Sequence, residues 1–341
     1  MQTTRSIVAL VVSLALVAIT RPAVAAPEWG SIEVLGRSIA AGENLRMPFL
    51  LGNTFAGSFL DTMVVVVRGS RPGPTLCITA GVHGDEINGV EIAHRIYAGL
   101  DAGQIAGTLL VIPAVNVHGF RTGSRYLADR RDLNRYFPGS RDGSHAALIA
   151  YELFAPIRQH CQALLDLHTG SNSRTNLPQI RTDLANPRAL DLARSFGVGV
   201  VLDGKGPVGN LRRAALDAGI PAVLFEAGET LRFDEDDIRV GTQGVRNVMA
   251  HLGMLPAVGK TPPAARVIRQ TSWVRVRGAG GIFLSDRKPG EAIRTGDTLG
   301  TVTDPITETV EIIRAPRDGL LIGMAVPQVV LTGYALFHLG N

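Results

Sequence analysis

Short apolar runs and segments of helical period alternate along residues 62–255, and this alternation constrains the fold more than any other feature. The runs TMVVVVRG (62–69) and TLCITAGVHG (75–84) are typical of buried strands, and a helical spacing of apolar residues follows from Glu86. Further strands are predicted at 108–116, 163–170, 198–204 and 221–229, and helices at 145–159, 187–196, 210–218 and 235–255. The pattern predicts an α/β fold, with a mixed or parallel sheet covered by helices on both faces.

Polar residues stand at the carboxyl ends of four predicted strands, namely His83, Asn116, His168 and Glu226. In open α/β sheets, ligand sites form at this edge of the sheet. Core packing does not explain polar side chains at four strand ends. We therefore expect a functional site there.

His83 and Glu86, in the segment GVHGDE, together with His168 form a candidate metal-binding set. Either His83 or Glu86 alone would more often be structural or solvated than functional. Two imidazoles and one carboxylate, however, are the three protein ligands of open zinc sites, which keep a fourth position for water. We therefore predict one zinc ion per chain, with Glu226 as the general base for its water.

Two aspartates are candidates for the groups that orient the metal ligands. A metal-bound histidine normally gives its second ring N–H to a carboxylate or a carbonyl. Asp166 lies two residues before His168, so strand alternation places both on the same face. Asp132 is the second candidate for this role.

The segment GFRTGSRYLADRRDLNRYFPG (119–139) is rich in arginine. A hydrolysed carbonyl needs a cation near the oxygen that becomes negative, and arginine supplies one. Arginine also presents a planar fork to carboxylates, so the pair Asn134–Arg135 is a candidate receptor for a substrate carboxylate. The arginines of this segment are Arg121, Arg125, Arg130, Arg131 and Arg135.

The first 25 residues have the layout of a secretory signal peptide. Arg5 precedes an apolar run from Ile7 to Ile19, and the small residues Ala23-Val24-Ala25 follow. An uncleaved membrane anchor is the alternative, but the run is short for a bilayer. We expect cleavage, export to the periplasm or the medium, and no stable membrane insertion of the mature chain.

The net charge bears on possible partners, and the two cysteines bear on a possible disulfide. Cleavage after residue 25 removes two arginines and no acidic residue, which lowers the formal net charge from +4 to +2. This charge is too small to indicate a nucleic-acid partner. Cys77 and Cys161 pair if their strands are neighbours, or else are two buried thiols.

The pattern changes after residue 255. The segment PAVGKTPPAA (256–265) is rich in proline and alanine and is predicted to be a linker. Residues 266–341 show short strands with glycine turns, which predicts a small all-β domain after a catalytic domain spanning 26–255. Parts of it are similar to the half-motifs of a biotinyl/lipoyl-type barrel-sandwich, but the carrier lysine is missing, which argues against a swinging arm.

The segments HGDE, RYLADRRDLNRYFPG, LLDLHTG and VLFEAGE, in this order, resemble the succinylglutamate desuccinylase/aspartoacylase family, which is related to the zinc carboxypeptidases. The resemblance covers about residues 60–255, and the small β domain agrees with it. It implies that Glu226 is the general base. By the same resemblance, the zinc ligands are His83, Glu86 and His168, the carboxylate receptor is Asn134 with Arg135, the oxyanion arginine is Arg125 or else Arg121, Arg130 or Arg131, and Arg181 is a further candidate for a substrate contact.

The sequence thus favours an exported zinc-dependent amide hydrolase that deacylates N-acyl amino acids. Its substrate would be a small amide that bears a free carboxylate. A zinc carboxypeptidase or a murein-peptide amidase with the same site is the alternative. A non-catalytic binding protein is a third hypothesis, which the presence of all three ligands and the base disfavours. The sequence leaves the acyl group and the oligomeric state open.

Overall fold

The structure of this chain is a computed structural model that describes residues 29–53, 59–257 and 264–341. The predicted signal peptide lies outside the described residues, and so do residues 258–263 of the predicted linker. Among the helices of the described part, none has the length and apolar character needed to cross a membrane.

Five strands come first in the described chain, helices and strands then alternate up to residue 251, and strands follow from residue 266. The α-helices are α1 (Ile87–Ala98), α2 (Val117–Thr122), α3 (His145–His160), α4 (Pro187–Phe196), α5 (Leu211–Asp217) and α6 (Glu235–His251). The first ten strands are β1 (Ile32–Val34), β2 (Arg37–Ile39), β3 (Asn44–Asn53), β4 (Phe59–Arg68), β5 (Arg71–Ala80), β6 (Ala106–Ile112), β7 (Ala163–His168), β8 (Arg174–Thr182), β9 (Val200–Asp203) and β10 (Ala222–Gly228). The remaining strands are β11 (Arg266–Ile268), β12 (Thr271–Arg275), β13 (Gly280–Leu284), β14 (Ala292–Ile293), β15 (Thr298–Thr303), β16 (Val310–Arg314), β17 (Gly319–Ala325), β18 (Gln328–Leu331) and β19 (Ala335–Gly340).

A mixed sheet of 13 strands organises the molecule, with the order β12-β19-β17-β8-β10-β7-β5-β6-β4-β3 along its main path. Its centre is parallel, because β10, β7, β5 and β6 pair in parallel. Strand β8 runs antiparallel to β10. This confirms the predicted α/β fold with a mixed sheet.

Helices cover both faces of the sheet. Strand alternation sends Leu164 of β7 to one face and Leu165 to the other. The first face packs against α3 and α5, and the second packs against α1, α4 and α6. The two apolar layers therefore hold the central strands from both sides, and they leave the carboxyl ends of those strands as the place where polar side chains gather.

The two cysteines form a disulfide. Strands β5 and β7 are neighbours, with Cys77 opposite Leu164, and Cys161 lies just before β7. The Cα atoms of Cys77 and Cys161 are 5.7 Å apart, and the bond closes a loop of 84 residues in sequence separation. Of the two alternatives that the sequence left open, the paired one is observed.

The region from residue 266 onward consists of strands and has its own core around Phe283 and Phe337. Strands β13, β15, β16 and β18 form a separate four-stranded sheet. Other strands of this region extend the main sheet, because β17 pairs with β8 and β11 pairs with β9. The division into a catalytic domain and a small barrel-sandwich domain stays a prediction.

Candidate metal centre

His83 and Glu86 lie in the short connection between β5 and α1. Glu86 is the residue that precedes the first helical residue, and its backbone N–H donates to the carbonyl of His83 over 3.2 Å. Both side chains are buried, with relative exposures of 4% for His83 and 1% for Glu86. The connection therefore folds both side chains inward, away from solvent.

His168 is the last residue of β7, and it completes the cluster. Its Nδ1 lies 2.6 Å from Oε2 of Glu86, and Nδ1 of His83 lies 2.8 Å from Oε1 of the same carboxylate. One ligand atom from each of the three residues lies within 4.8 Å of the other two. The three predicted ligands are thus brought together, and the same ring nitrogen of each histidine points toward the cluster.

The second ring nitrogen of each histidine meets an aspartate, as the sequence predicted. Nε2 of His83 lies 3.2 Å from Oδ1 of Asp132, and Nε2 of His168 lies 3.0 Å from Oδ2 of Asp166. Asp166 also accepts a hydrogen bond from the hydroxyl of Thr79 on the neighbouring strand. Both imidazoles are therefore held in a fixed orientation, with Nδ1 directed inward.

The charges of the cluster are strongly coupled. Burial is the largest single influence on Glu86 and favours its protonated form, but His83 and His168 together hold the pKa of Glu86 well below its ordinary value. Burial also opposes a charge on His168, but Asp166 and Glu86 raise the pKa of His168 well above its ordinary value. A metal ion that binds here must displace the proton that His168 holds, so its affinity depends on pH.

This set of donors fits a zinc ion. Zinc in hydrolases takes two histidine nitrogens and one carboxylate, and leaves a position for water. A ligand histidine of such sites normally donates its outer N–H to a carboxylate or a carbonyl, and an aspartate carboxylate lies at this nitrogen of both histidines here. His83, Glu86 and His168 are therefore suited to hold the zinc ion that the family resemblance implies.

Arg125 contacts the candidate metal centre directly. Its Nη1 donates to Oε1 of Glu86 over 3.0 Å, and its Nη2 donates to Oδ2 of Asp132 over 2.9 Å. By contrast, Arg131 is exposed and binds Asp129. The side chains of Arg121 and Arg130 are exposed as well. Among the arginines left open for the oxyanion role, the geometry favours Arg125.

Asn134 and Arg135 lie in a 3-10 turn beside the cluster. Asn134 is buried, and its Oδ1 accepts a hydrogen bond from the backbone N–H of Leu211, the first residue of α5. The guanidinium of Arg135 is half-exposed and lies 3.7 Å from Asp132. Asn134 thus ties this turn to α5, and Arg135 is the member of the pair that faces solvent.

Glu226, the predicted base, lies on β10 directly beside His168 on β7. Its Oε2 is 2.7 Å from Nη2 of Arg181, and Nδ2 of Asn176 donates a hydrogen bond to the same oxygen. Asn176 and Arg181 both belong to β8, which runs antiparallel to β10. Arg181 therefore reaches the site as predicted, but the partner that it contacts is the base.

Arg212 lies near the candidate site, and the sequence did not predict it there. It is buried in α5, and its Nε and Nη1 find no hydrogen-bond partner among the described residues. Burial, with a contribution from nearby Arg181, lowers the pKa of Arg212 to about 10. The only sign of this in the sequence is a charged residue within the helix segment LRRAALD. Arg213, the next residue, gives the same sign but binds Asp217, so the sequence does not distinguish the two arginines.

Comparison with known proteins agrees with the family resemblance of the sequence motifs. Residues 72–252 match the model of the succinylglutamate desuccinylase/aspartoacylase catalytic domain. Over 303 residues, the chain is 25% identical to N-alpha-acetyl-L-2,4-diaminobutyric acid deacetylase from Halomonas elongata, which covers 85% of this chain and 88% of that protein.

Solved structures agree with this match. A succinylglutamate desuccinylase/aspartoacylase from Rhodobacter sphaeroides superposes with a TM-score of 0.77 at 25% identity, covering 89% of this chain and 98% of that chain. The product-bound ectoine utilization protein EutE (DoeB) from Ruegeria pomeroyi gives a TM-score of 0.78 at 24% identity, covering 87% and 93%. At that identity, the second likeness shows a shared fold.

Proposed function

The chain belongs to the succinylglutamate desuccinylase/aspartoacylase family, and from this premise we propose that it is an exported zinc-dependent hydrolase that deacylates N-acyl amino acids. The relative from Halomonas elongata is by name a deacetylase of an N-acetylated amino acid, which supports this choice of substrate class. The observation that carries the proposal is the buried set of His83, Glu86 and His168 beside Glu226.

His83, Glu86 and His168 would hold one zinc ion per chain through two Nδ1 atoms and the carboxylate. When bound, zinc supplies polarisation of the amide carbonyl and a lower pKa for the attacking water. Asp132 and Asp166 keep the outer nitrogen of each imidazole occupied, so that the inner nitrogen presents its lone pair.

Glu226 takes the proton of the attacking water and passes it to the leaving amine. Asn176 and Arg181 both contact Oε2 of Glu226, and we therefore assign the proton transfer to Oε1. With its carboxylate fixed at one oxygen, the base keeps a single orientation toward the reacting amide. Because the side chain of Glu226 is already held in this orientation, it loses little conformational freedom when it takes the proton.

Arg125 would stabilise negative charge on the carbonyl oxygen, since its guanidinium already lies at the ligand carboxylate. Arg135 offers an exposed guanidinium to the carboxylate of the substrate. Arg212 offers two buried N–H groups without partners near Glu226, and a carboxylate would satisfy them. The site thus suits a small acyl amino acid with a free carboxylate.

Export is supported by two independent features. The first is the leader with its apolar run and the Ala23-Val24-Ala25 cleavage pattern. The second is the Cys77–Cys161 disulfide, because disulfides persist in oxidising compartments such as the periplasm. We place the mature enzyme in the periplasm or the medium.

Turnover of defined substrates by the purified, zinc-loaded chain tests this function. We expect N-acetyl and N-succinyl amino acids to be hydrolysed, and Glu226→Gln to lower kcat by about 10²–10⁴-fold with little change in KM. Cleavage of short peptides but not of acyl amino acids would favour the carboxypeptidase or murein-peptide amidase alternative. Binding of these ligands without turnover would favour the non-catalytic alternative.

A further inference from the structure

The outer face of the four-stranded sheet carries aliphatic side chains that no described segment covers. Strands β13, β16 and β18 each contribute two of them, and their exposed fractions run from 41% to 75%. The adjacent residues Phe283, Ile313 and Val330 point inward to the core of this region. We call the exposed set the aliphatic face, and it consists of Ile282, Leu284, Val310, Ile312, Val329 and Leu331.

These side chains form one continuous patch. Ile282 stands opposite Val329 on one side and opposite Thr303 on the other, and Thr303 stands opposite Val310 on the next strand. A second row runs from Leu284 through Thr301 to Ile312. Since directly opposed residues of paired strands lie about 5 Å apart, neighbouring side chains within each row touch.

The size of the patch matches one half of a protein interface. At these exposures, the aliphatic face leaves on the order of 600 Å² of apolar side-chain surface, which is at the upper end of the largest patch on a typical monomer. A standard interface takes about 800 Å² from each partner. The aliphatic face together with its polar rim reaches that size.

The charges at the two ends of the aliphatic face are complementary to each other. Glu308, in the turn that connects β15 to β16, is exposed at one end. Arg314, the last residue of β16, is exposed at the opposite end. A two-fold axis that lies between two stacked sheets, parallel to them and perpendicular to their strands, would place Glu308 of one copy against Arg314 of the other.

We propose that the aliphatic face is the interface of a homodimer, in which two copies stack their four-stranded sheets about a two-fold axis. A second copy satisfies both observations, because it supplies an apolar surface of equal size and the opposite order of charges. The inference is independent of the proposed hydrolase activity, since it uses no residue of the metal centre.

Analytical ultracentrifugation of the full chain tests the proposal. We expect a mass of two chains, and we expect the double variant Ile282→Glu/Val329→Glu to weaken dimerisation by at least about 100-fold. Leu50→Glu is the matched control, since Leu50 is 54% exposed on a strand of the main sheet. This control is expected to dimerise as the wild type does.

Two further variants test the geometry without placing acids in the patch. Glu308→Lys is expected to weaken the dimer, and adding Arg314→Glu is expected to restore it. Both variants remain informative if the double glutamate variant fails to fold.

A wild-type chain that stays monomeric at all concentrations would overturn the proposal. So would a dimer that survives Ile282→Glu/Val329→Glu in a folded protein, or a dimer that Glu308→Lys leaves as tight as the wild type. Cosedimentation of monomers with phosphatidylglycerol vesicles, lost in the double variant, would instead show that this face binds a membrane surface, and would also overturn it.

Discussion

Glu86 and Asp132 each contact more than one basic side chain. Glu86 lies against both imidazoles and Arg125, and Asp132 lies against His83 and Arg125. Burial of an unpaired charge is costly, so this sharing is what allows so many ionisable groups in a buried cluster. It also means that a substitution of one of these side chains leaves another ionisable side chain of the cluster without a partner.

Arg181 offers a clear test at the scale of one residue. Because it contacts the base and not an open surface, we expect Arg181→Gln to lower kcat by about 10–100-fold while KM changes little. Steady-state kinetics on an N-acyl amino acid measures both constants. Arg213→Gln is the control, since Arg213 binds Asp217 on the surface of α5 and is expected to keep both constants.

The opposite kinetic pattern would contradict this role. A raised KM with an unchanged kcat would show that Arg181 contributes uniform binding to the substrate, as the family resemblance implied. The role of Arg181 in positioning Glu226 would then be wrong.

At the scale of elements, the connection from β5 to α1 depends on a glycine. A Cβ atom at residue 84 would lie 2.0 Å from the carbonyl carbon of Gly119 and 2.2 Å from the backbone nitrogen of Phe120. The close approach of these two backbones brings the segment that carries Arg125 against His83 and Glu86. Glycine at this position therefore shapes the metal centre without touching it.

We expect Gly84→Ala to destabilise the fold by about 1–3 kcal/mol and to reduce zinc binding, because the two backbones must separate. Urea unfolding and zinc titration measure the two effects. Gly199→Ala is the control, since a Cβ there meets nothing within 4 Å. Equal stability and equal zinc affinity of the two variants would contradict the proposed role of the close approach.

The sequence predicted those elements whose apolar period is clear. The helices predicted at 145–159 and 187–196 are observed at His145–His160 and Pro187–Phe196, each begun by a side-chain cap from Ser144 or Asn186. Strand β8 was missed, because its segment RTNLPQIRT contains a proline and polar residues. Three of these polar side chains, Asn176, Gln179 and Arg181, contact the base or β17, and such tertiary partners leave no periodic signal in the sequence.

The sequence identified His83, Glu86, His168 and Glu226, which the structure brings close together, but it did not identify all the contacts that support them. Asn176 and Arg212 reach the site through the antiparallel pairing of β8 and through the packing of α5. Both depend on three-dimensional neighbours that are distant along the chain. Sequence spacing alone therefore does not identify them.

At the scale of the whole molecule, the β region is attached to the main sheet beside Glu226, the predicted base. Strand β19 carries His338, which stacks on Trp273 of β12 with ring centroids 4.2 Å apart. Burial, together with the nearby charges of Arg181 and Arg174, lowers the pKa of His338 to about 3. His338 is therefore neutral in the folded protein near neutral pH.

This histidine makes folding stability depend on pH. Between its folded pKa of about 3 and its ordinary value of 6.5, the unfolded chain binds the proton more tightly. The stability conferred by neutral His338 is thus fully present above pH 6.5 and is lost as pH falls toward 3. His338→Phe keeps an aromatic ring in the stack. As pH falls from 7 to 4, we expect the free energy of unfolding of this variant to decrease by about 3 kcal/mol less than that of the wild type.

Urea unfolding at several pH values measures this difference. His94→Phe serves as the control, because it replaces a histidine whose side chain is 55% exposed. Parallel stability curves for His338→Phe and the wild type would show that His338 is protonated in the folded state after all.

The metal content of the purified chain, compared with that of three variants, tests the central claim most directly. We predict one zinc ion per chain in the wild type, loss of zinc in His83→Ala and His168→Ala, and retention in Glu226→Ala, because Glu226 lies beside the ligand set and not within it. A wild-type chain that is free of zinc and cannot take it up would contradict the account.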